Sequence, residues 1–234
     1  NGRPVNTNAK KRVRSNGISE QKGRARKTLR LLKKQFPRPV TALLHENPFQ
    51  LLIATILSAQ CTDERVNMVT KDLFKKYRGP KDFANASVAE LETDIKSTGF
   101  FRMKTKSIMG CSKALMEQHA GNVPDTMEEL VELPGVGRKT ANVVLGQAFG
   151  TSSGIVVDTH VHRLAQRMGF TEADTAKEIE QNLMKLFPRK DWIDVGSVLI
   201  LHGRQTCNAR KPNCAGCVVN TLCPSAALFV RAAV

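Results

Sequence analysis

The chain has 234 residues, 41% of them hydrophobic, enough for one large domain or two modest ones around a real core, which excludes wholesale disorder. Its longest apolar runs, Leu51 to Leu57 and Val195 to Leu201, fall well short of the roughly 18 to 20 residues that a membrane-spanning helix needs, so no membrane partner is expected. The net charge of +15 is uneven: residues 1–36 hold 12 Lys or Arg against one acid, Glu20, which accounts for +11 and leaves +4 for the other 198 residues. This reads as a basic, flexible tail over 1–23, suited to a polyanion but silent on sequence, in front of a body that must carry any specificity. The opening residues lack the apolar core of a secretory signal, so a reducing compartment is expected, where six cysteines serve as ligands or core thiols rather than disulfides.

From about Arg24 onward apolar residues recur at helical spacing: Leu29, Leu31, Leu32 and Phe36, then Leu51, Leu52, Ile56 and Ala59, then Met68, Val69, Leu73 and Phe74. Alternating strand patterns are nearly absent. Ser87 with Glu90, Thr126 with Glu129 and Thr175 with Glu178 each form the hydroxyl-x-x-Glu capping box that opens a helix. Breakers fall between the periodic segments, among them Gly79-Pro80, Gly99, Pro134-Gly135 and Pro188. The pattern predicts an all-α protein without internal repeats.

Between a helix ending near Glu132 and an apolar helix through Val143, Val144 and Leu145 lies Leu133-Pro134-Gly135-Val136-Gly137-Arg138-Lys139. Two glycines leave the backbone bare, and a bare loop that opens a helix directs N–H groups and the positive end of the dipole at one point, which suits a phosphate. The alternative is an ordinary tight turn between helices. Lys139 stands in the first turn after this loop, beside Arg138. The helix end and the neighbouring cation both work against its ammonium form and favour the free amine, which is a nucleophile. A further phosphate contact is the other use for a lysine there.

Nineteen residues on, Asp158 follows Ile155-Val156-Val157 and precedes an apolar helix, the position of a helix N-cap. His160 and His162 sit two apart, on different faces of a helix, and so make a poor metal pair. Near the C-terminus Cys207, Cys214, Cys217 and Cys223 follow with six, two and five residues between them. Four thiols within seventeen residues, with Pro212 and Gly216, make a chelating loop. A single Cys-x-x-Cys favours an iron-sulfur cluster slightly over zinc, which usually takes two such knuckles. Cys61 and Cys111 are left as buried thiols.

The string from Leu133 to Lys139 resembles the helix-hairpin-helix of DNA glycosylases. Followed by Val157-Asp158-Thr159-His160-Val161, and by the four cysteines after Leu199-Ile200-Leu201-His202-Gly203-Arg204, it is similar to the endonuclease III family from about Arg24 to Pro224. The resemblance implies a two-lobed helix-hairpin-helix glycosylase fold: a six-helix domain over 41–151, a [4Fe-4S] cluster domain made of 24–40 plus 152–226, and a site in the cleft between them. It implies a bifunctional DNA N-glycosylase and abasic-site lyase of base excision repair. Such an enzyme excises oxidised pyrimidines from double-stranded damaged DNA, with Lys139 as nucleophile, Asp158 as catalytic carboxylate and the four cysteines on a [4Fe-4S] cluster.

The DNA contacts it implies are Gly135, Val136, Gly137 and Arg138 of the hairpin, Arg210 and Lys211 of the cysteine loop, Gln60 as helix-filling plug and Phe100 as wedge, where the family carries leucine. A monomer is expected, in the cytoplasm at the nucleoid of a bacterium or in the nucleus or mitochondrion of a eukaryote. The alternatives are a mismatch-specific thymine or adenine glycosylase of the same superfamily and a non-catalytic iron-sulfur DNA-binding protein. Adenine glycosylases lack a lysine at the position of Lys139 and carry a catalytic Glu near Gln60, which the segment from Leu57 to Asp63 does not have.

Overall fold

The structure is a computed structural model that describes the backbone of residues 7–230 and the side chains of residues 18–229. All regular structure among these residues is helical. In chain order the helices are α1 (Thr7–Gln35), α2 (Pro48–Leu57), α3 (Asp63–Lys76), α4 (Pro80–Ala84), α5 (Val88–Ile95), α6 (Phe101–Gln118), α7 (Met127–Glu132), α8 (Arg138–Ala148), α9 (Thr159–Arg167), α10 (Ala176–Leu186), α11 (Trp192–Gln205) and α12 (Ala226–Val230). None of them is long and apolar enough to cross a membrane. The chain divides into two compact units, one made of residues 1–39 and 154–234, the other of residues 40–153.

In the unit of residues 40–153, α2 is buried from Phe49 to Leu57, with Gln50 and Thr55 its polar residues, so it is the central helix against which α3, α6 and α8 pack. Asn47 caps it by accepting the Gln50 N–H at 2.9 Å, and Pro48 occupies the first turn, where its missing N–H costs nothing. Removing a Leu or Ile such as Leu52 or Ile53 from water contributes about 1.5–3 kcal/mol each. This unit holds seven α-helices rather than six. The expected break at Gly79-Pro80 falls between α3 and α4, with Gly79 as N-cap and Pro80 at the first position of the five-residue α4.

In the other unit, Ala25, Leu29, Leu32 and Phe36 form a buried stripe at helical spacing on α1, which packs on α10 and α11. Here the expected boundary at Arg24 is corrected. The helix is already formed before that residue, and Gln21 donates to the carbonyl oxygens of Gly169 at 2.9 Å and Phe170 at 3.4 Å. An isolated glycine such as Gly23 costs a helix only about 1 kcal/mol and does not by itself stop it. Residues 1–6 of the expected tail lie outside the described residues. At the other end the ordered chain runs past residue 226 into α12.

At two of the three expected capping boxes the hydroxyl caps its helix, and the Glu carboxylate accepts from that hydroxyl. Thr175 Oγ1 accepts the Glu178 N–H at 3.3 Å and donates to Glu178 Oε2 at 2.7 Å, and Thr126 and Glu129 are arranged alike. Ser87 begins α5 but its side chain makes no capping bond.

Candidate functional site

The hairpin joins α7 to α8. Leu133 and Val136 are buried beneath it, and the Val136 N–H donates to the Leu133 carbonyl at 3.0 Å, so both the amide and the side chain of Val136 serve the turn itself. Gly135 has φ +78°, and a Cβ there would stand 2.4 Å from the Ser107 Cβ on α6, which makes glycine obligatory twice over. Gly137 differs. It caps α8 with an ordinary φ of −92°, and a Cβ there would meet nothing within 4 Å. No protein atom requires the missing side chain at 137. What the glycine does provide is open access to the first amides of α8, where Arg138 and Lys139 are both exposed. Gly137→Ser is therefore expected to keep or slightly raise the melting temperature, since serine is a good N-cap, while weakening binding to duplex DNA about tenfold in a filter or anisotropy titration. Unchanged binding would show that the hairpin is only a turn.

Three non-glycine residues of the same unit lie in the left-handed region, Ala120 and two with large side chains. Gln60, after α2, has φ +53° and is exposed; Phe100, at the start of α6, has φ +48° and is 62% exposed. Left-handed backbone costs an ordinary L-residue about 1–2 kcal/mol, and neither Gln nor Phe belongs to the Asn and Asp group that tolerates it. Phe101 turns inward instead and packs against the core. Of the two aromatics, Phe100 is thus the one offered to the outside. Cys111 is fully buried, and burial pushes its thiol up to about 12, whereas Cys61 is only half-buried at the core's edge.

In the other unit Asp158 is the N-cap of α9. Its Oδ1 accepts the N–H groups of His160 at 2.8 Å and Val161 at 2.9 Å, and its Oδ2 lies 3.0 Å from His160 Nδ1. His160 is therefore a partner of the carboxylate. Arg163 is turned inward and donates to the carbonyls of Gly203 and Cys207, so it braces the loop.

The four cysteines Cys207, Cys214, Cys217 and Cys223 are unpaired by disulfides and line one cavity with an empty volume of about 290 Å³ and an almost wholly apolar wall. Burial pushes the thiols of Cys214, Cys217 and Cys223 up. Two residues around the cavity escaped the sequence reading. Arg167 Nη1 lies 3.4 Å from Cys207 Sγ and donates to the Asn208 carbonyl at 2.8 Å, while its Nη2 donates to that of Ala209 at 2.7 Å. His202 is fully buried with Nε2 at 3.5 Å from Cys217 Sγ, and burial pulls its pKa down to about 4, so the ring is neutral. Its signal in the sequence is a histidine closing the apolar run Val195 to Leu201, within the string that precedes the cysteines. Arg210 and Lys211 are exposed on the loop.

The family profile described as "HhH-GPD superfamily base excision DNA repair protein" matches residues 53–189. The chain is 51% identical over 209 residues to endonuclease III of Synechocystis sp., spanning 89% of this chain and 95% of that protein. With endonuclease III of Escherichia coli K12 it shares 43% over 192 residues, 82% of this chain and 90% of the relative. A solved non-covalent endonuclease III–DNA complex superposes with a TM-score of 0.85 at 44% identity, covering 90% of this chain and 98% of that one. A thermostable thymine-DNA glycosylase, at 22% identity and a TM-score of 0.79, shares the fold. At the identity and coverage it shares with these endonuclease III proteins, the chain belongs to the endonuclease III family of the HhH-GPD superfamily and is a base excision repair DNA glycosylase.

Proposed function

We propose that the chain binds damaged duplex DNA as a monomer, excises oxidised pyrimidines, and then cleaves the resulting abasic strand through a Schiff base on Lys139. The observation that carries this reading is an exposed lysine in the first turn of α8, directly after a hairpin with bare backbone. A phosphate seated on the α8 amides through Gly135, Gly137 and Arg138 would hold the strand while the Lys139 amine attacks C1′ of the damaged nucleotide. The C1′–N bond breaks and the base leaves with its electron pair, taking up a proton. The sugar ring then opens to an iminium on Lys139 Nζ. Loss of a C2′ proton to a base breaks the C3′–O bond, releasing the 3′ strand as a phosphate terminus.

Asp158 would take the proton from the Lys139 ammonium or stabilise positive charge on the sugar as the base departs. Its cap and its catalysis can be separated. Asn is as good an N-cap as Asp, so Asp158→Asn is expected to leave thermal stability within about 0.5 kcal/mol while lowering single-turnover excision by about 10²–10⁴. Equal rates in the two proteins would leave Asp158 a cap and nothing more.

The cysteine loop fits a [4Fe-4S] cluster. What supports it is that Cys207, Cys214, Cys217 and Cys223 all line one cavity. Bound there, such a cluster would supply structure, closing a loop that presents Arg210 and Lys211 to a phosphate. Its four ligands would all be protein, so no step of the reaction passes through it.

Borohydride reduction of the protein on duplex DNA containing thymine glycol, followed by peptide mass mapping, tests the reading. A covalent adduct on Lys139 is expected. Excision without any trapped adduct would leave a glycosylase that lacks this mechanism.

A further inference from the structure

Lys104 occupies a core position. It shares the buried stripe of α6 with Ile108, Cys111 and Leu115, four, seven and eleven residues on, and is only 5% exposed. No carboxylate faces it; its Nζ donates to two backbone carbonyls, Leu57 and Thr98, each at 2.8 Å. Burial lowers its pKa, and the Cys61 thiol is the other titratable group close enough to act on it. A buried ammonium held only by carbonyls is a costly way to fill a core, so its value lies in what the two bonds fix.

Both carbonyls belong to the last residues of helices. Leu57 is the last residue of α2, which has no basic residue of its own in its last turn, and Thr98 ends a short 3-10 helix, Lys96–Thr98. The left-handed Gln60 lies three residues beyond the first carbonyl and the left-handed Phe100 two residues beyond the second. Strained backbone persists where its surroundings over-determine it, and one ammonium ties down the exits of both turns.

We infer that Lys104 is a positioning residue that locks the Gln60 and Phe100 turns to each other, so that both side chains enter an opened base pair as one preformed plug. This rests on the reading of Gln60 and Phe100 as the groups that fill the gap. Without the ammonium each turn relaxes by itself, and the plug must be ordered anew at every encounter with a paired lesion.

The test is the ratio of single-turnover excision from a lesion opposite a normal base to excision of the same lesion in an unpaired bubble, where there is no stack to fill. Lys104→Met, close in shape but without donors, is expected to lower that ratio roughly ten- to a hundredfold, because the loss falls on the paired substrate. A variant that slows both substrates equally, or neither, overturns the inference. Hydrogen exchange on the same protein should quicken together in residues 58–62 and 98–101; loosening of one segment alone also overturns it. Should Lys104→Met fail to fold, Lys104→Gln, with two donors on a shorter stem, is expected to give an intermediate fall in the ratio, and an unchanged ratio overturns the inference equally. Gln60→Ala and Phe100→Ala separate the two levels. If neither shifts the ratio, the plug reading itself has failed; if they do and Lys104→Met does not, only the role of Lys104 has.

Discussion

Lys139→Gln should give a folded, DNA-binding protein that leaves no borohydride-trapped adduct and cleaves abasic strands at least about a thousandfold more slowly. Folding is safe because the side chain is exposed at the second position of α8, while that helix is held by Ala141, Val144 and Leu145 on its buried face. Removing a cation from the positive end of a helix is favourable by about 0.3–1 kcal/mol, so the melting temperature should hold or rise. Binding separates the two uses of a lysine at this position. As a phosphate contact alone it would reduce the salt slope of affinity by about one and slow the chemistry only as far as binding falls. As the nucleophile it removes the covalent step at saturating DNA. An undiminished adduct in Lys139→Gln would place the attacking amine elsewhere in the chain and end the mechanism proposed for it.

What could be read in the sequence was what local chemistry dictates. The helical class followed from spacing alone: the stripe of Leu29, Leu32 and Phe36 packs as its period implies. The hairpin and the cysteine loop were legible because a bare glycine turn before a cationic helix start and four thiols in a short span have few other uses. Asp158 was visible as a cap, and the structure gives it two amides and a histidine partner that no string announces.

The misses have a common cause, which is that tertiary context decides them. The guanidinium of Arg163 points at two carbonyls forty and forty-four residues away in sequence, which no local pattern announces. Lys104 had a signal that went unused, a lysine in phase with Ile108, Cys111 and Leu115, where a core side chain belongs. The helix begins earlier than low apolar content implies, because a polar side chain such as Gln21 can anchor it through backbone carbonyls.

Cys217→Ala is expected to abolish the visible absorption of an iron-sulfur cluster and to destabilise the unit of residues 1–39 and 154–234 by several kcal/mol, because the cavity left behind has an apolar wall and nothing to fill it. The loss should be graded along the loop. Arg163 holds the carbonyl of Cys207, and Arg167 those of Asn208 and Ala209, so the start of the loop stays anchored without any metal. Residues 210–218, which carry Arg210 and Lys211, are where limited proteolysis should cut first and amide exchange should rise most. DNA affinity should fall with them, and its salt slope by about two if both side chains meet phosphates. Cys111→Ala is the matching control, since that thiol is buried in the other unit: it should cost packing energy of about 1 kcal/mol and leave the absorption untouched. Full absorption in Cys217→Ala would remove this residue from the ligand set, and with it the case for a cluster held by all four cysteines.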